Sequence, residues 1–292
     1  MMKSTEVNDI TICCMSGGYK NVFTHGVLKA FEENGLKARV YAACSSSTLI
    51  AAYAAMNKVS TLDLSLWSDG YAISQNDGNQ SRAMLHTIEK LSNDVQKNLW
   101  KPNSSRLLIA TSLVKNEEAA IITQSEGAKR LGQMLLIYAL KHKSDWKDQN
   151  LELQIFDTQS TSNKWKLLTK ENFNEVAYAT TRMLHAWNIP AYINNMAYLD
   201  GSYTSLCPVI PLSELGAKHI LCISTEREKV CFDLFSNKEI PSSLNGSLIE
   251  FVKPDCELKE MGVDFYTITK DGLSNVFDYG YRKGLDYITK MR

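Results

Sequence analysis

The sequence carries no excess of charge. Lys+Arg and Asp+Glu both number 32 in 292 residues, so the formal net charge is zero. No basic run stands out either, so there is no electrostatic footprint for a nucleic acid, and none is expected as a partner. No apolar run approaches the ~20 residues of a membrane-spanning helix. Residues 1–9 are polar and lack the apolar core of a signal peptide. C-x-x-C pairs are missing. The seven cysteines, Cys13, Cys14, Cys44, Cys207, Cys222, Cys231 and Cys256, are scattered, mostly in apolar runs. That pattern reads as reduced, buried thiols in a cytoplasmic protein and gives no support to a zinc site. Neither a metal nor a cofactor is expected. With no internal repeat and no low-complexity linker, residues 1–292 are read as one domain.

What is present is an alternation of short apolar runs and amphipathic stretches. Residues 10–15 read as a buried strand ending in Ser16-Gly17-Gly18, and 22–34 as a helix stopped by Gly35. A second extended run, 38–43, stops at Ser45-Ser46-Ser47, and a small-residue helix follows over 49–56. The order β-α-β-α predicts an α/β fold with a central, mostly parallel sheet and helices on both faces. Right-handed crossovers put both strand ends on one edge, so Gly17, Gly18 and Ser45 share a crevice. Residues 59–103 show no strand and read as a helical insertion able to cap that crevice. Beyond it the pattern predicts strands at 106–114 and 119–124, a helix over 126–142 and a hairpin from 151–157 and 165–169. A helix over 171–184, a strand at 219–224, short edges at 248–252 and 265–268, and a closing helix over 273–291 complete the chain.

A strand running straight into a helix through serines has the layout of a nucleophile elbow. The positions two before and two after the nucleophile are crowded. Centring on Ser45 places Ala43 and Ser47 there, both small; centring on Ser46 or Ser47 places Thr48 or Leu49 there, which fit worse. The same stretch also suits a Ser/Thr cap on an ordinary helix. Gly17-Gly18 equally suits a plain strand-to-helix turn, and Asp200-Gly201 a plain turn between apolar segments.

Taken in order, Ser16-Gly17-Gly18-Tyr19-Lys20, Gly26-Val27-Leu28-Lys29-Ala30, Ala43-Cys44-Ser45-Ser46-Ser47-Thr48-Leu49, Tyr198-Leu199-Asp200-Gly201 with Cys207-Pro208-Val209, and Leu215-Gly216-Ala217 resemble the motifs of patatin-like phospholipases. The resemblance covers most of the chain and rests on order and spacing across five segments. It implies a three-layer patatin-like fold and a Ser/Asp dyad with no histidine. Carried over by position, Ser45 is the nucleophile, Asp200 the base, and Gly17 and Gly18 the oxyanion hole. Lys20, Tyr19, Ser46 and His185 are the further expected substrate contacts. His185 is the one histidine kept as an alternative base. His25, His86 and His142 lie on helices, and His219 opens a buried strand at the wrong end for the crevice.

The implied activity is a serine acyl hydrolase acting on a lipid or other acyl ester, with peripheral membrane contact. Two alternatives are an acyltransferase using the same dyad, and a catalytically dead binding protein on the same fold. The chain departs from the family pattern at both elbow glycines and at Ser202. It departs again in a glycine loop one residue short, with Tyr19 near the third Gly position and Asn21 at a further one. Asn tolerates the left-handed geometry of a Gly position, and one oxyanion donor is expected to be displaced, which would slow hydrolysis of generic esters.

Overall fold

A computed structural model describes residues 10–161 and 163–291. The polar segment 1–9 lies outside the described residues. The strands are β1 (Ile10–Cys14), β2 (Val40–Cys44), β3 (Arg106–Val114), β4 (Leu151–Asp157), β5 (Lys166–Leu167), β6 (Tyr192–Ile193), β7 (Met196–Leu199), β8 (His219–Ile223), β9 (Ser243–Leu244) and β10 (Ser247–Val252). The helices are α1 (Val22–Glu33), α2 (Ser47–Ala55), α3 (Ser65–Asp77), α4 (Ser81–Asn98), α5 (Glu117–Thr123), α6 (Ala128–Leu140), α7 (Asp145–Asn150), α8 (Phe173–Ala179), α9 (Val209–Glu214) and α10 (Lys270–Met291).

The sheet runs β5-β4-β3-β2-β1-β8-β10-β9. Its centre, β3-β2-β1-β8-β10, is parallel throughout. Every residue of β1 and β2 is buried, as a strand covered on both faces requires. Two apolar layers follow from the alternation of side chains. Ile12, Cys14, Tyr41 and Ala43 join α1, α2 and α10 on one face. Cys13, Ala42, Cys44 and Leu108 join Val209 and Leu212 of α9 on the other. On the first face, α1 and α10 cross with glycine opposite backbone: a Cβ on Gly280 would lie 2.2 Å from the Phe23 carbonyl oxygen. From β1 the chain steps to β2 and β3 on one side and returns to β8 on the other. That reversal opens a crevice outside the carboxyl ends of β1 and β2.

The insertion is helical as expected: a short 3-10 turn at Val59–Thr61, then α3 and α4. Several other expectations are corrected. Residues 119–124 are not a strand but most of α5. Asn116 caps that helix through Ala119 N–H (2.9 Å), and Glu117 and Glu118 sit in its first turn. β4 and β5 are not a hairpin: they pair in parallel over two residues, while β4 pairs antiparallel with β3. The helix expected over 171–184 ends at Ala179. Residues 248–252 lie inside the sheet, with β9 outside them as the edge. Residues 265–268 form a turn closed by a single bridge, Val263 to Ile268. Among the described residues no helix is long and apolar enough to cross a membrane.

Candidate active site

Ser45 sits directly after β2 with φ of 59°, in the left-handed region that a non-glycine residue enters only under constraint. Its N–H donates to Thr180 Oγ1 (2.9 Å), and that hydroxyl donates on to the Ala110 carbonyl (2.6 Å). The second elbow glycine is replaced by Ser47, whose hydroxyl folds back to the carbonyls of Cys44 (2.8 Å) and Cys14 (3.0 Å). A small side chain that bonds both strands therefore fits where a larger one would not. Ser46 lines the crevice, but its hydroxyl is occupied. It donates to the Gly18 carbonyl (2.9 Å) and accepts from Asn21 Nδ2 (2.8 Å), tying the elbow to the glycine loop.

Asp200, 155 positions downstream, accepts the Ser45 hydroxyl on Oδ2 at 2.8 Å. β7 delivers it by pairing antiparallel with β3, Leu199 opposite Ser112. Asp200 N–H donates to the Arg182 carbonyl (3.0 Å), and its carbonyl accepts from Ser112 Oγ (2.8 Å). Gly201 must be glycine: a Cβ would lie 2.2 Å from the Ala110 carbonyl oxygen and 2.8 Å from Cys44 Sγ. The second carboxylate oxygen, Oδ1, accepts from both the N–H (2.8 Å) and the hydroxyl (2.6 Å) of Ser202. The carboxyl group is fully buried. Burial pushes its pKa from an ordinary 3.8 up to about 6, against the pull of the Ser202 and Ser45 hydrogen bonds.

Gly18 has φ of +56°, and a Cβ there would lie 2.3 Å from the Phe265 carbonyl oxygen. The N–H groups of Gly17 and Gly18 donate to no protein acceptor among the described residues, and of the two Gly18 lines the cavity over Ser45 while Gly17 does not. Tyr19 N–H is different: it donates to the Phe265 carbonyl at 3.1 Å. Asn21 is right-handed at φ −68°, and its side chain bonds Ser46 (2.8 Å) and Thr24 (2.7 Å). Lys20 pairs with Glu226 and does not line this cavity. Tyr19 does line the cavity, its phenol near Gln80 Oε1 (3.3 Å) and Ser74 Oγ (3.4 Å) of the insertion.

Above Ser45 lies an apolar cavity of about 60 Å³. Leu49, Leu66, Trp67, Met84, Trp187 and Phe265 supply its walls, so α3 and α4 do cover the crevice. His185 stands behind that wall, bonded through Nε2 to Tyr266, which lines the cavity. Tyr266 and Thr180 carried no signal in the sequence. The remaining histidines are elsewhere. His25 is buried against Trp67, whose Nε1 donates to its Nδ1 (3.3 Å), and burial lowers its pKa to about 4. His219 pairs with Glu250 (2.6 Å) at the opposite end of β8. On the far face of the sheet the thiols of Cys13, Cys207 and Cys222 lie within 4.8 Å of one another, all buried. Spacing along the chain gave no sign of this meeting. Cys13 and Cys207 touch at 3.3 Å within the apolar layer, as small hydrophobes do.

No family model matches the chain, and no curated protein matches it.

Proposed function

We propose that the protein is a serine acyl hydrolase of the patatin-like kind, cleaving a lipid or other acyl ester. The observation that carries this reading is the 2.8 Å bond from Ser45 Oγ to Asp200 Oδ2, made at a left-handed turn under an apolar cavity. In the proposed reaction Ser45 Oγ attacks the ester carbonyl carbon. Its proton passes to Asp200 Oδ2, and the carbonyl π pair moves to oxygen, which the free N–H of Gly18 at the cavity is placed to stabilise. Collapse expels the alcohol, which takes the proton from Asp200, and leaves an acyl-Ser45. Water, deprotonated by the same carboxylate, then attacks; collapse expels Ser45 Oγ, which takes that proton back from Asp200, and the acid is released. A carboxyl with pKa near 6 suits this exchange, since a base works best when its pKa lies close to the working pH.

A binding protein that no longer catalyses has no use for this arrangement. A left-handed serine costs on the order of 1–3 kcal/mol, and an ionised buried carboxylate adds to that. Such costs are held where function requires them. The test is labelling by an alkyl fluorophosphonate, followed by peptide mass spectrometry. We expect phosphonylation at Ser45, abolished in Ser45→Ala and Asp200→Asn. A folded protein that stays unlabelled would return the balance to the binding reading. Products formed from mixed lipids, with and without added alcohol, separate hydrolysis from acyl transfer.

A further inference from the structure

The turn at 263–268 does two things to the cavity. Asp264 N–H closes it on the Thr267 carbonyl (2.8 Å). Phe265 then presents its carbonyl to Tyr19 N–H (3.1 Å), removing that donor from the glycine loop. The next residue, Tyr266, lines the same cavity as Gly18 and Ser45. So the segment that takes away one donor brings in a phenol.

The hydrogen-bond partner of that phenol is His185 Nε2. The other ring nitrogen, Nδ1, is buried and has no partner among the described residues. That orphan selects the tautomer. A proton on Nδ1 would be a buried N–H without an acceptor, the rarer and costlier kind of unpaired group. The proton belongs on Nε2, which donates to the Tyr266 oxygen. The phenol O–H is then left over, on a side chain that lines a largely apolar cavity. Burial pushes the phenol pKa up, with Tyr203 and Asp200 adding to it, so the proton stays on. Burial pushes His185 down, which keeps the imidazole neutral.

We infer that Tyr266 donates its O–H to the substrate carbonyl oxygen as that oxygen becomes an oxyanion, with His185 as the residue that positions it. The phenol takes the place of the donor lost at Tyr19. This rests on the acyl hydrolase reading, and the experiment separates the two. Wild type, Tyr266→Phe, His185→Leu and His185→Gln are assayed on p-nitrophenyl butyrate and treated with an alkyl fluorophosphonate. Tyr266→Phe should lower kcat by ~10²-fold with KM nearly unchanged, the mark of a contact made in the transition state. It should still be labelled at Ser45, only more slowly. His185→Leu should reproduce the loss. His185→Gln, whose amide can donate from the place of Nε2, should recover most of it. Wild-type turnover in Tyr266→Phe, with Ser45 labelled, overturns the role of Tyr266 and leaves the dyad standing. If Tyr266→Phe folds poorly, the two His185 variants decide: equal activity in them overturns the proposal. A wild-type protein that neither hydrolyses the ester nor takes the label overturns both readings.

Discussion

At the scale of single residues the site is a compromise between burial and bonding, and Asp200 shows it best. Its folded pKa of about 6 lies above the ordinary 3.8. A carboxyl raised in this way helps folding at low pH, where it is protonated in both states. The help is lost as pH rises from about 4 through about 6, because the folded state must then ionise a buried group. The gap corresponds to about 3 kcal/mol. Asp200→Asn keeps an acceptor for Ser202 and carries no charge. It should melt higher than wild type at about pH 8, and the difference should vanish near pH 3.5. Scanning calorimetry at the two pH values checks this, and a gap independent of pH would mean that folding does not raise the Asp200 pKa. Activity should move the other way, with Asp200→Asn inactive and wild-type kcat/KM rising with pH through about 6. Ser202→Ala removes the 2.6 Å hydroxyl bond to Oδ1, so that rise should shift to higher pH. Ser202, one of the departures from the family pattern, would then tune Asp200, which no pattern of residue types shows.

At the scale of elements, α8 explains both a misreading and a support. The periodicity of 171–184 runs on as a helix, yet the chain leaves the helix after Ala179. Thr180 there gives its side chain to Ser45 N–H and Ala110, while the Thr180 and Arg182 carbonyls receive Gly201 N–H (3.1 Å) and Asp200 N–H (3.0 Å). Groups that would have continued the helix are spent on the two halves of the dyad. Thr180→Val should therefore strand the buried Ser45 N–H, at a cost of about 1–3 kcal/mol. It should also lower kcat, because the left-handed turn loses its brace. Thermal unfolding and ester turnover measured together check this, and a stable, fully active variant would show the brace to be idle. α5 was misread for a different reason. Its Ala-Ala-Ile-Ile run looks like a buried strand, but Ile121 and Ile122 are 64% and 48% exposed, and the helix signals lay just upstream in Asn116-Glu117-Glu118. By contrast β1, β2, β8 and α10 were legible, because each is a short apolar run or a clean amphipathic period bounded by turn residues. The meeting of Ser45 with Asp200 was legible only through the order of motifs. Thr180 and Tyr266 were not legible, since each acts through contacts far away in the chain.

At the scale of the whole molecule, the cap limits what can reach Ser45. Ligand sites for molecules of drug size measure ~300–1,000 Å³, and the cavity here is far smaller, at about 60 Å³. Under the proposed function a long acyl chain needs more room than this, and α3 and α4 are the elements that lie over it. The junction between them is fixed. Gln80 N–H bonds the Ala186 carbonyl (3.0 Å), and Ser81 Oγ accepts from Asn188 N–H (2.9 Å) and Ile189 N–H (3.0 Å) and donates to the Tyr178 phenol oxygen (3.0 Å), whose own O–H goes to the Ile189 carbonyl (2.7 Å). α3 is held by the Trp67 indole on His25 (3.3 Å), the Tyr19 phenol near Ser74 (3.4 Å) and Lys90 of α4, which reaches Asp69 (3.0 Å) and Ser65 (3.3 Å) at the exposed surface. Opening should consequently swing α3 about the anchored Gln80-Ser81 junction. Trp67→Phe keeps an aromatic wall but removes the N–H that binds His25. It should raise kcat/KM for p-nitrophenyl laurate relative to p-nitrophenyl butyrate, because the long chain gains most from a looser α3. Hydrogen exchange in α3 should quicken in the same variant while α4 stays protected. An unchanged laurate-to-butyrate ratio, with faster exchange in α3, would mean that long chains enter by another route and that this helix is not the gate.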